Sequence, residues 1–275
     1  MELDGKVCVI TGANTGIGRV TATEIAKRGA RVIVATRSEE KTQGVLEDIA
    51  RAGGKGEWVA LDLGDLASVR RATDEIQKRV ERIDILVANA GVGGARGTTK
   101  DGFEVHFGTN HLGHFLFVTR LLPLLEKAAP SRVVVVSSKA HYGAKRIDWD
   151  ALREPPSLTG LDEYGVSKAC NVLFVRELAR REKDKGVHAY AVHPGVVASD
   201  IWRRIPALIR PLATMWMRTT EQGAESSLHC ALSEEAASET GLYYDADSKP
   251  KPPSKLAQDD ALAAELWRKS EEWTS

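Results

Sequence analysis

Tyr164 and Lys168 stand four residues apart in EYGVSKACNVLFVRELA, a spacing that puts a phenol and an ammonium on one face of a helix. A cation beside a phenol stabilises the phenolate, and bringing a tyrosine pKa from about 10 to about 7 takes roughly 4 kcal/mol of differential stabilisation. A tyrosine lowered that far trades protons near neutral pH. The same spacing also arises by chance and describes two solvated helix residues equally well, so its meaning rests on the residues around it.

A second group with chemical potential is TGANTGIG, which closes the first apolar run. Gly12, Gly16 and Gly18 permit a tight turn and let backbone amides at a helix start approach a pyrophosphate. The order is Gly-x-x-x-Gly-x-Gly, looser than the usual dinucleotide fingerprint. The second apolar run ends in VIVATRSEEK, with Thr36 and Arg37 where an acid would otherwise hold the adenosine ribose. Arg37 can pair with a 2′-phosphate, which favours NADP(H) over NAD(H), although Glu39 and Glu40 follow it and an ordinary surface arginine would look the same. Asp62 and Leu63 end the third run, and Asn89, Ala90 and Gly91 the fourth. Asp62 suits an adenine amino group, and the small residues at 89–91 leave room for a cofactor.

These groups sit on a regular alternation. The apolar runs KVCVITG, ARVIVATR, EWVALDL, IDILVANA, RVVVVSS, VHAYAVHP and GLYYD alternate with amphipathic stretches at 17–28, 39–52, 68–80, 103–125 and 164–183. Runs that are apolar throughout call for burial on both faces, so the pattern predicts a doubly wound, seven-stranded, mostly parallel α/β sheet in one domain spanning 1–275. In that architecture ligands bind at the carboxyl ends of the strands, where the glycine turn, Asp62, Leu63, Asn89, Ala90 and Gly91 fall.

Two stretches interrupt the alternation. Residues 139–163 contain Pro155, Pro156 and Gly160 and read as a surface loop beside Ser137 and Ser138. Residues 199–222 are apolar and broken by prolines, and read either as a lid over an apolar substrate or as a core helix pair.

Bulk composition narrows the function. Thirty-eight basic and thirty-eight acidic residues give no net charge, so nothing recruits nucleic acid or an anionic membrane. The longest apolar stretch, His114–Leu125, carries Arg120 and Pro123 and is too short to span a bilayer, and no leader or membrane anchor is read at the start. Cys8, Cys170 and Cys230 are odd in number and unclustered, as in a cytoplasmic protein with reduced thiols. His111 and His114 lie within one helical turn of each other, but no carboxylate or cysteine completes a metal set, and no metal is expected. His141 and His193 read as packing beside strand ends.

TGANTGIG, Asp62, NAG at 89–91, Asn110 in NHLGHF, Ser138, YGVSK and PGVVAS occur in the order and at the spacing of the classical short-chain dehydrogenase/reductases, and the whole chain resembles that family. NHLGHFLF, VSSKAHYG, YGVSKACNVLFVRELA and the tail AQDDALAAELWRKSEEW resemble its retinol dehydrogenase-like branch. The resemblance implies a Rossmann fold and a role for each matching residue. Tyr164 would exchange the proton, Lys168 would lower its pKa and hold the nicotinamide ribose, and Ser138 would polarise the substrate oxygen. Asn110 would hold a water linking Lys168 to solvent, and Ser137 would support the turn. Asn14, Thr15 and Ile17 would join the three glycines around the cofactor. Pro194, Gly195, Val197 and Ser199, a serine in place of the usual threonine, would take the carboxamide. The 25 residues between Ser138 and Tyr164 exceed the family's common gap, an insertion that the branch shares. Also implied are an apolar carbonyl or alcohol substrate and a homodimer or homotetramer built on the helices near Phe103 and Tyr164. Two rivals stay open: a protochlorophyllide-type double-bond reductase, and an NADP-binding sensor that keeps the fold without catalysis.

Overall fold

The apolar runs fold as strands in the computed structural model of the protein, which describes residues 2–197 and 218–275. β1 (Val7–Thr11), β2 (Arg31–Thr36), β3 (Lys55–Ala60), β4 (Ile85–Ala88), β5 (Ser131–Val136), β6 (Val187–Val192) and β7 (Leu242–Tyr244) pair in parallel, in the order β3-β2-β1-β4-β5-β6-β7. β8 (Pro250–Lys251) adds antiparallel to β7, so the described sheet has eight strands where seven were expected. Its two exposed residues carry no apolar pattern for the sequence to show.

Alternate side chains of the strands feed two cores, as the period of two requires. Val9, Ile33, Leu86 and Val133 face one side with the helices α3 (Leu66–Arg79), α4 (Gly113–Lys127) and α5 (Leu161–Arg181). Cys8, Ile10, Val32, Val87 and Val134 face the other, with α1 (Gly16–Ala26), α2 (Glu39–Arg51) and α6 (Thr220–Leu232). The chain leaves β1 toward β2 on one side and returns as β4 on the other. A crevice therefore opens beyond the carboxyl ends of β1 and β4.

Three elements differ from the sequence expectation. The helix expected from Phe103 begins later: Glu104 pairs with Thr98 in a β-bridge, a π-helical turn covers Phe107–Leu112, and α4 proper starts at Gly113 and runs past Pro123. Residues 139–163 fold partly onto the body: Leu152 is buried, its carbonyl accepts from the Glu104 N–H at 2.8 Å, and Ile147 and Trp149 pack against the core. Residues 218–222 of the lid candidate are a bridge to Val197 and the start of α6, closed by a Thr219–Gln222 capping box; its residues 199–217 lie outside the described residues.

A last helix, α7 (Asp260–Thr274), lies against α4 and α5. Trp267 stacks on Phe174 with ring centroids 5.7 Å apart and meets Phe115 edge-on at 5.0 Å. α7 thus covers part of α4 and α5, the two helices named for subunit pairing. Among the described residues no helix is long and apolar enough to cross a membrane.

Candidate active site

The glycine turn is fixed by contacts that only glycine tolerates. Gly12 has φ +67°, and a Cβ there would sit 2.7 Å from the Ala90 Cβ. At Gly18 a Cβ would overlap the Asn89 amide and the Gly12 carbonyl. Gly16 is needed for its φ of +58° alone, since nothing lies within 4 Å of its missing side chain. α1 begins there, and Thr15 at its N-cap position offers no side-chain acceptor to the first turn. The first amides of α1 therefore present positive charge to the crevice, flanked by half-buried Asn14 and by Ile17, which packs toward Gly223 of α6.

Around this turn the neighbouring strand ends differ in how committed they are. Asn89 donates from Nδ2 to the carbonyls of Thr11 and Gly12 at 2.9 and 3.2 Å and so staples the turn to β4. Thr36 uses its hydroxyl on Thr42 and Trp58, whereas Arg37 is exposed and forms no ion pair among the described residues. Asp62 accepts from the Gly64 N–H at 3.0 Å in a tight turn, and the carbonyl of buried Leu63 lies so close to Gly113 that no side chain fits between.

The catalytic candidates converge at the β4 and β5 ends. A Cβ on Gly91 would lie 3.2 Å from Asn110 Oδ1 and 3.5 Å from Lys168 Nζ, so this glycine opens the passage between crevice and catalytic helix. Asn110, fully buried in the π-turn, accepts from the Val92 N–H at 2.7 Å and donates to the Val92 carbonyl and Ser167 Oγ at 3.0 Å each. Its side chain is spent on these bonds, and its main-chain carbonyl accepts from His114 Nδ1 at 3.0 Å. Ser138 caps a 3₁₀ turn at Lys139–Gly143, accepting from the Ala140 N–H. Ser137, expected to support its own turn, donates instead to the Lys168 carbonyl of α5 at 2.8 Å.

Electrostatics here correct the sequence expectation. Burial pushes the Tyr164 phenol up, and only the Ser138 hydroxyl beside it pulls the other way. Lys168 does not offset this: its Nζ donates to the Val136 carbonyl at 3.0 Å and lies 5.6 Å from the Tyr164 ring centroid. Burial has also drawn the pKa of Lys168 down to about 8. The spacing gave the right neighbours, but it did not show that both would be desolvated together.

At the β6 end the His193 N–H donates to the Tyr244 carbonyl, Gly195 has φ +87°, and Val197 bridges to Arg218; Pro194 lies between these points, and Ser199 is outside the described residues. Buried His141 donates from Nδ1 to the Ser138 carbonyl at 2.7 Å and accepts the Ser254 N–H at 3.1 Å.

A family model described as short chain dehydrogenase matches residues 6–208, most of the chain. The chain belongs to the short-chain dehydrogenase family. Within it the chain falls in the retinol dehydrogenase-like branch. Mouse retinol dehydrogenase 12 is 44% identical over 276 residues, covering 98% of this chain and 86% of that protein. Among solved structures, a putative uncharacterized protein from Mycobacterium paratuberculosis superposes with a TM-score of 0.80 at 34% identity, covering 99% of this chain and 94% of that one. An RhlG/NADP active-site complex from Pseudomonas aeruginosa superposes with a TM-score of 0.73 at 25% identity, covering 90% and 96%.

Several residues of this dehydrogenase's site carried no sequence signal that was read. Glu104 accepts from the His106 N–H, the Phe107 N–H and His106 Nδ1 at 2.9, 2.7 and 2.7 Å, capping the segment that carries Asn110. The His106 ring then stands edge-on to Tyr164 with centroids 6.0 Å apart. His111 and His114 turn to different partners: His111 Nε2 to Ser270 Oγ at 3.1 Å, and His114 to Thr11 and Asn110. The four-residue step from Asn110 to His114 was the available clue to the latter.

Proposed function

We propose that this short-chain dehydrogenase moves hydride between NADP(H) and an apolar carbonyl or alcohol. The chain's own residues fit such a cofactor. Gly12 and Gly18 hold the turn tight against Ala90 and Asn89, Gly16 leaves open space at the uncapped start of α1 where a pyrophosphate fits, and Arg37, which has no ion pair among the described residues, suits a 2′-phosphate. When bound, the nicotinamide supplies or takes the hydride. Tyr164 holds the proton at its phenol oxygen, and burial keeps it there near neutral pH, the state needed to protonate a carbonyl oxygen during reduction. Ser138 Oγ orients the substrate oxygen, and Lys168 supplies the replacement proton, renewed from solvent through a water that the Asn110 carbonyl would hold as acceptor.

The apolar substrate is favoured by one observation. Among the described residues the exposed large apolar side chains are Tyr142, Leu158, Leu161 and Val196. All four belong to segments that adjoin Ser138, Tyr164 or Gly195 in the chain, which supports an apolar substrate. Retinol in the names of several relatives agrees with a substrate of that character.

A panel of aliphatic, aromatic and polyene aldehydes, ketones and alcohols, read by absorbance of the reduced nicotinamide, tests this reading. Turnover should rise with substrate apolarity. A preference for polar, short-chain carbonyls would reject the substrate class, and undiminished turnover in Tyr164→Phe would reject the mechanism.

A further inference from the structure

We infer that His114 is a positioning residue that ties the nucleotide-binding turn to the main chain of Asn110, setting the cofactor cradle and the proton supply in one register. The role rests on the nicotinamide-dependent reading of the site. His114 is buried in α4, far in sequence from β1, yet its two ring nitrogens meet both regions. Nδ1 lies 3.0 Å from the Asn110 carbonyl oxygen, which can only accept, so Nδ1 carries the ring proton. Nε2 then holds a lone pair and lies 2.9 Å from Thr11 Oγ1. That hydroxyl already accepts the N–H groups of Asn89 and Ala90, both at 3.0 Å, so its own proton points to Nε2. Each donor has one acceptor, and the chain of bonds runs unbroken from residues 89–90 through Thr11 and the imidazole to the π-turn.

Only the neutral ring with its proton on Nδ1 fits this chain. An imidazolium would turn an N–H toward a hydroxyl whose lone pairs are already taken. The titratable groups that bear on the ring are Lys168 of α5 and His111 on its own side of the π-turn. Burial draws the His114 pKa down to about 4, which keeps the ring neutral over the working range. The consequence is mechanical: a displacement of Thr11 or of residues 89–90 when nucleotide enters is passed to the Asn110 carbonyl by a rigid ring.

Two amide substitutions divide the chain of bonds at the ring. His114→Asn keeps an N–H in the place of Nδ1 for the Asn110 carbonyl and drops the link to Thr11. His114→Gln keeps an oxygen in the place of Nε2 for Thr11 and drops the link to Asn110. Binding of NADPH and NADH is measured by tryptophan fluorescence titration, the pH profile of kcat by steady-state assay, and the tautomer by ¹⁵N NMR of the histidine rings. Wild type should show the Nδ1–H tautomer from pH 5 to 9. His114→Asn should weaken nucleotide binding about tenfold, the worth of one neutral hydrogen bond, with the pH profile unmoved. His114→Gln should bind nucleotide as wild type does and move the pH profile by about one unit. If both amides lower the melting temperature and leave binding and pH profile in place, His114 is structural only and the inference is overturned. An Nε2–H tautomer overturns it as well, even should wild type bind neither nucleotide and the reading of the site fail first.

Discussion

The two ends of the crevice are built on opposite plans. At the proton end every polar atom of the Asn110 side chain has a protein partner, and Lys168 is 3% exposed with its Nζ on a backbone carbonyl. At the adenosine end Arg37 is exposed with no ion pair among the described residues. Preorganising the first end holds groups of shifted pKa in place and costs stability. Leaving the second end free defers its contacts until a ligand arrives, so on the function proposed above cofactor choice would rest on a removable charge rather than on the frame.

The largest effect that would test this contrast lies at the preorganised end. Tyr164→Phe should reduce kcat about 10²- to 10⁴-fold, the usual contribution of a positioned acid or base, while nucleotide affinity stays near wild type. Loss of affinity in parallel would mean that the two ends are not separable.

Next comes the cradle between them. Gly12→Val adds a side chain to a backbone with φ +67°, where the conformation alone costs about 1–2 kcal/mol, and drives it into Ala90. NADPH and NADH binding should fall together, since both share the pyrophosphate. Unequal loss in calorimetric titrations would show that the turn itself discriminates.

Arg37→Ala should then act on one cofactor only, weakening NADPH roughly 10- to 100-fold and leaving NADH unchanged, as expected for charge-assisted hydrogen bonds to a single phosphate. Equal affinity of wild type for both cofactors would remove the argument from Arg37.

The smallest effect concerns stability. Lys168 titrates near 8 when folded, against its ordinary 10.5, so between these values the unfolded chain holds the extra proton. Lys168 therefore subtracts from stability below about pH 8, and the deficit closes as pH rises toward 10.5. Without added nucleotide, Lys168→Met should melt above wild type at pH 7, with a gap that narrows toward pH 10. A constant gap across that window would show that the buried charge is not the cause.

Sequence and structure agree wherever the determinant is local. The glycines at 12, 16 and 18 announced a turn because backbone conformation is written in residue type, and Tyr164 and Lys168 announced a shared face because helical spacing is fixed. The bond from His114 to Thr11 was unreadable because the two are 103 positions apart. Glu104 was missed because a glutamate gives no sign, in one sequence, of capping a turn from inside the protein. The phenol's pKa went astray for a related reason: the cation four residues off is visible in the sequence, and the loss of water around both groups is not.

The packing of α7 on α5 also bears on how the enzyme is made. Trp267 covers Phe174 on the helix that carries Tyr164 and Lys168, so on the ribosome that helix is synthesised long before its cover exists. Until residues 260–274 emerge, the nascent chain displays an aromatic face of the kind that chaperones hold and that neighbouring chains adhere to. Burial of the catalytic helix is thus timed by the emergence of residues 260–274, and a stop codon before Asp260 should yield insoluble protein despite an intact set of site residues.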